Sequence, residues 1–319
     1  MPTVVLGHGS RAGRDVVVPG RVRVELAELV ELARQGGHRL PFDVSSIGTA
    51  LVGDGAPAGR SWLARLSPEP QAAPPDALAR LLAEQAARAR RSAADPDRAA
   101  VRDAMVEAVG VLAGAEAVVD VELGARLEDG PPTQARAWVG VRGETAASLA
   151  TVTGAELELA WGATAALPEI LAHLVRLPDP PGRPEPEIPS AFTVPVEVLA
   201  ASGLGPAQHR DDLLPALVAR FPGAVTGPDG EPYDARAALV LVRTLVERLT
   251  ARLRVVVPGR HGDAAGAVVW MRVGSRWLSM RPDVVAGVPV ARARAVVPRD
   301  LAREVGPVLA RVWGRDGQG

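Results

Sequence analysis

The sequence predicts an α+β fold in which one structural unit occurs twice, and three observations predict it. The hydrophobic pattern runs twice through one programme: a strand entering a helix, further helical sequence, four strands of period two and a closing helix. Two local phrases match between the copies: ARAWVGVRG (135–143) with AVVWMRVGS (267–275), which sets Trp138 opposite Trp270, and LPEILAHLV (167–175) with VPRDLAREV (297–305). Between the copies lies DPPGRPEPEIP (179–189), whose five prolines and four charged residues cannot build a core and read as a joint. The expected organisation is therefore an N-terminal extension (1–15), a first half (16–178), the Pro-rich linker (179–189), a second half (190–315) and a short tail (316–319).

Taken in order, 16–37 reads as a short strand passing into a helix, with Val24, Leu26, Leu29 and Leu32 on one face and Gly36-Gly37 ending it. Residues 42–52 read as strand-like or irregular, and 54–75, rich in Gly, Pro and Ser, as loop. The Ala-rich stretch 75–114 is helical, broken at Asp95-Pro96-Asp97, with the helical segment longer here than in the second copy. Then 115–127, 135–143, 146–152 and 155–161 alternate as four antiparallel strands, and 164–178 is a helix stopped by Pro178. Beyond the linker, 192–203 is strand into helix, 211–221 and 233–249 are helices, and 251–259, 267–274, 276–282 and 288–296 are strands. The turn between the first two of those strands is expected at 260–266, and 298–313 closes the chain as a helix.

Composition removes several functions. Of 319 residues, 47% are apolar and 23% charged, an ordinary globular balance. Thirty-six basic residues face 37 acidic ones, so the net charge is −1 and the overall basic footprint of a nucleic-acid binder is absent. Every basic residue is Arg; the chain has no Lys, Asn or Cys, a bias that GC-rich coding accounts for. Walker-type phosphate loops, Schiff-base chemistry, thiol catalysis and thiolate metal sites all need residues that are missing. No apolar run approaches the roughly 18 residues of a transmembrane span, and no signal-peptide pattern opens the chain, which implies a cytoplasmic protein without membrane insertion.

The opening VVLGHGSRAG is the sharpest candidate for chemistry. A short apolar run ending in Gly-His-Gly-Ser resembles the first strand of the small tetrapyrrole chelatases, with His8 as metal ligand or base and Ser10 as nucleophile. The five histidines, His8, His38, His173, His209 and His261, include no pair at metal-ligand spacing, however. Ser10 lacks the flanking glycines of a nucleophile elbow, and the Gly-rich run does not lead directly into a helix that could cradle phosphate. Glu25, Glu28 and Glu31 read as a solvated helix face, and Asp211, Asp212 and Asp300 as acids at helix starts. The strand tryptophans Trp138, Trp161, Trp270 and Trp277 read as core. No catalytic residue, metal or cofactor is expected.

The two-copy arrangement resembles the EspG family of proteins associated with type VII (ESX) secretion. The residues that carry the likeness are the entry VRVELAELVELARQGG, a strand meander containing GAELELAW, a helix ending in LVRLP, the Pro-rich joint and the closing VPVARARAVVPRDLAREVGPVL. The resemblance spans roughly 17–315. It implies a quasi-two-fold fold with a central antiparallel sheet flanked by helices, and a non-enzymatic cytosolic chaperone that holds the apolar helical tip of PE/PPE-type proteins for export. No residue motif carries over from the family. An apolar helix end would enter a groove of the second half, with Leu213, Leu214, Leu217 and Val218 on the 211–221 helix and Trp277 and Met280 on a neighbouring strand as candidate contacts. The protein itself is expected to be a monomer or weak homodimer. A small chelatase- or hydrolase-like enzyme using His8 and Ser10 is the alternative.

Overall fold

In a computed structural model of the chain, residues 20–40, 96–125, 133–151, 156–179, 184–204, 213–259 and 264–313 are described. The expected extension, the segment 42–95, and with them His8, Ser10, His209, His261, Asp211 and Asp212 lie outside these residues.

The described elements run β1 (Gly20–Glu25), α1 (Leu26–Gln35), α2 (Pro96–Ala113), β2 (Ala117–Ala125), β3 (Thr133–Arg142), β4 (Thr145–Thr151), β5 (Glu156–Ala163), and α3 (Leu167–Leu174) after a 3₁₀ turn at Thr164–Ala166. They continue with β6 (Ala191–Pro195), α4 (Val196–Leu204), α5 (Leu213–Arg220), α6 (Ala235–Glu247), β7 (Leu249–Pro258), β8 (Ala264–Val273), β9 (Arg276–Val285), β10 (Val288–Val296) and α7 (Asp300–Trp313). All ten strands form one antiparallel sheet in the order β1-β5-β4-β3-β2-β7-β8-β9-β10-β6. The order follows from short hairpins, which pair consecutive strands, and from three long-range pairings, β1 on β5, β6 on β10 and β2 on β7, the last in register from Asp120 opposite Val256 to Ala125 opposite Ala251.

Local chemistry sets the element ends. α1 stops where Gly37 takes φ +65° and the His38 N–H donates to the Ala33 carbonyl, a glycine-terminated cap. α6 starts at Asp234, whose carboxylate accepts from the Ala237 N–H at 2.7 Å. Before α7, Pro298 follows Val297, and the Asp300 carboxylate turns back to accept from the Val297 N–H at 3.0 Å. The β9–β10 hairpin closes through Ala286 and Gly287 at φ 49° and 80°, the pair of left-handed residues that suits a right-twisted ribbon.

Period-two burial divides the core by face. On one face, α3 and α7 pack on each other and on a cluster of Val119, Val121, Val139, Leu253, Val255, Trp270 and Trp277, with Leu171, Leu301 and Val305 from the helices. On the other face there are two separate clusters. One joins α1 and α2 to Val22, Val24, Trp138, Leu149, Leu157 and Leu159; the other joins α4, α5 and α6 to Phe192, Val194, Leu278, Met280 and Ala293.

Four expectations change in detail. Trp138 and Trp270 lie on opposite faces, because counting back from the turn glycines Gly143 and Gly274 aligns Trp138 with Val269 instead, and a one-residue slip inverts a strand. Gly266 falls inside β8 and not in the preceding turn; a Cβ there would meet Val308 at 2.7 Å, so glycine lets α7 approach the sheet. Glu28 is buried, with 8% exposure, on a helix face that reads as solvated. The described parts of the Pro-rich joint are strapped to the second half. Buried Arg272 donates to the Pro178 carbonyl and to Asp179 Oδ1, both at 2.8 Å, Arg276 donates to the Ile188 carbonyl, and Arg248 donates to the Pro184 carbonyl.

Candidate functional site

The six residues expected to contact a partner do not form one surface. Val218 and Met280 are buried in the cluster under α4, α5 and α6, while Leu214 and Leu217 pack half-buried against it and Leu213 is half-buried. Trp277 points to the opposite face, 4% exposed, with its ring 5.9 Å from that of Trp270. The reason is the strand period: residues 277 and 280 are an odd number apart. The apolar side of α5 turns into the cluster it shares with α4 and α6.

Among the described residues, a different surface lies where the two helical layers stop. α1 and α2 cover the first four strands of the order, and α4, α5 and α6 cover the end formed by β9, β10 and β6. Between them β2, β7 and part of β8 are backed by α7 on one face. On the other face they turn even-numbered side chains of β2 and β7 outward, all half-buried or exposed. Val118, Val256 and Val269 supply apolar ground there, with Val269 41% exposed.

A charged row crosses this strip. Arg136 on β3, Glu122 on β2 and Arg254 on β7 stand directly opposite one another in the two registers. Arg254 reaches Glu122 at 3.2 Å, and Arg136 reaches Glu122 at 3.6 Å and Asp120 at 3.1 Å. The Arg136 guanidinium also lies 5.4 Å from the Trp138 ring, within reach of a cation–π attraction. The network is incomplete, since Asp120 Oδ1 and Arg136 Nε are buried without a hydrogen-bond partner. Burial pushes the Asp120 carboxyl above its ordinary range and the neighbouring Glu122 adds to this, against the pull of Arg136 and Arg254.

The remaining candidates are structural. His173 meets Glu158 at 2.9 Å, and Arg21 joins the same carboxylate at 3.3 Å. Burial opposes ionisation of Glu158, but the His173 hydrogen bond and these charges outweigh it and hold the carboxyl below its ordinary range. The His38 ring lies against Gly36 and Gly110 beside an open depression of about 470 Å³ that Glu107 and Arg142 also line. Among the described residues, no three His, Asp or Glu side chains gather as a metal site would require. No described helix is long and apolar enough to cross a membrane.

The polar alternation of Asp120 and Glu122 in one strand and Arg252 and Arg254 in another is visible in the sequence. What sequence reasoning missed is that these strands are neighbours, 132 positions apart at Glu122 and Arg254. No protein-family model matches the chain, and no curated protein matches it.

Proposed function

We propose that the protein is a non-enzymatic chaperone or adaptor of the EspG type, a two-copy fold that holds an apolar helical segment of a PE/PPE-like secretion client in the cytoplasm. The observation that carries this reading is the central strip, a sheet surface that the described helices leave uncovered, with Val118, Val256 and Val269 and half-exposed charges. Support for the two-copy fold comes from the strand order, which reads outward from the β2–β7 junction as 2-3-4-5-1 on one side and 7-8-9-10-6 on the other. Each side also ends in a helix, α3 or α7, on the same face. An amphipathic helix end laid on the strip would bury the valines, and the Arg136, Glu122 and Arg254 row would fix its register.

The test is co-expression with the PE/PPE-type pairs of the source genome. A soluble complex that survives size exclusion is expected, with Val269→Asp weakening it and deletion of residues 1–15 leaving it intact. Failure of every such pair to co-purify would overturn the proposal.

A further inference from the structure

The face that carries α3 and α7 continues past α7 along the β9–β10 hairpin. The unbroken register pairs Trp277 with Val296, Ser279 with Arg294, Arg281 with Arg292, Asp283 with Val290 and Val285 with Val288. Alternation places all ten side chains on this one face. Trp277 and Val296 are buried in the α7 cluster. Farther out, the side chains of Arg281, Arg292 and Arg294 are 65%, 62% and 59% exposed.

Two features set these arginines apart. Arg281 and Arg292 stand directly opposite each other, a like-charge pair that costs a sheet stability. Glu304 of α7, its side chain 5% exposed, meets both Arg281 at 3.1 Å and Arg294 at 3.4 Å through the single oxygen Oε1. Its other oxygen is taken up by the Trp270 indole N–H at 2.9 Å and the Ser279 hydroxyl at 2.8 Å. One buried carboxylate thus orients two guanidinium groups and leaves most of their N–H donors to solvent. Arg292 is steadied by Asp283 at 2.5 Å. From Arg281 to Glu304 the chain holds five Arg against three acidic residues, although its overall charge is balanced. At the hairpin tip, the same face offers Val285, 43% exposed, and half-buried Val288.

We infer that this face docks an acidic peptide segment of a partner protein. Two or three carboxylates would meet Arg281, Arg292 and Arg294, and a neighbouring apolar side chain would cover Val285 and Val288. Arginine forks oriented in advance suit carboxylates bidentately. The Asp283 and Glu304 charges set within the cluster, together with the valines, favour a peptide over the dense charge of a polyphosphate or nucleic acid. This surface lies on the opposite face from the central strip and does not depend on what the strip holds.

The experiment is fluorescence anisotropy on the full chain with a fluorescein-labelled peptide of Glu and Asp followed by Leu and Val. The comparison probes are the same peptide with Lys for each acid, and a short single-stranded DNA. Saturable binding of the acidic peptide is expected, weakening as salt rises and falling at least about tenfold in Arg292→Glu and Arg281→Glu. Arg281→Lys, which keeps the charge and loses the fork, should cost a smaller factor. Arg292 makes no contact with Glu304, so an unchanged melting curve for Arg292→Glu separates lost binding from lost folding. Arg236→Glu, at an exposed position of α6, removes the same charge and should leave binding unaltered. Absence of saturable binding, tighter binding of the DNA, or an equal loss in Arg236→Glu would overturn the inference.

Discussion

Glu304 and Asp120 are both carboxylates set against the same sheet, and the molecule treats them in opposite ways. Glu304 sits on the sheet-facing side of α7 with every lone-pair direction used, by an indole, a hydroxyl and two guanidinium groups. Burial pushes its carboxyl up, but these hydrogen bonds win and hold it below the ordinary range. Asp120 faces the open strip, one oxygen bonded to Arg136 and the other buried without a partner, and burial wins. A completed polar network locks a helix onto a sheet, whereas an incomplete one leaves buried polar atoms unsatisfied and the carboxylate disfavoured.

The largest effect should come from breaking the completed node. Glu304→Ala strands the Trp270 N–H and the Ser279 hydroxyl under α7 and should cost about 3 kcal/mol of unfolding free energy in urea titration. Next, Arg272→Ala removes the buried guanidinium that holds the Pro178 carbonyl and the Asp179 carboxylate against β8, with an expected loss of about 2 kcal/mol by the same measurement. Asp120→Asn should change stability at neutral pH by less than about 1 kcal/mol, because the charge it removes is already disfavoured. A loss as large as that of Glu304→Ala would erase the distinction between the two sites. The smallest effect on folding, within about 0.5 kcal/mol, is expected for Val269→Ser on the strip.

The pH dependence sharpens the contrast because the two signs oppose. The folded-state pKa of Glu304 is lowered, so its contribution is present above the unfolded carboxylate range and is lost as pH falls through the folded value. The folded-state pKa of Asp120 is raised, so its contribution is fully present below the unfolded value and is lost as pH rises through the folded one. Across the carboxylate range, Glu304→Gln should therefore flatten the rise of stability with pH, and Asp120→Asn should steepen it. Melting curves recorded from acid to neutral pH read both slopes, and the same direction of change in the two variants would contradict the assignment.

Much of the fold was legible in the sequence because its signals are local. Alternation in AVVDVELGA and VPVARARAV, the amphipathic stripe of α1 and the glycines at 36–37, 143 and 274 place strands, a helix and turns within a few residues of where they lie. The candidate site was not legible in the same way. Leu213, Leu214, Leu217 and Val218 form an apolar stripe that announces burial but not what buries it, and the neighbouring helices α4 and α6 claim it. Trp277 and Met280 share a strand, but the odd step between them sends them to opposite faces of the sheet.

The sequence by itself determined the order and kind of the elements, the balanced charge, and the exclusion of thiol, Schiff-base and Walker-type chemistry, since each depends on residue identity or on neighbours a few positions apart. Only the tertiary structure decided that β2 lies beside β7, that Glu304 gathers Trp270, Ser279, Arg281 and Arg294, and that the two described helical layers leave a strip of the sheet between them. These are contacts between segments distant along the chain. The free energy that selects them comes from burying whole faces together, which no single stretch of sequence encodes.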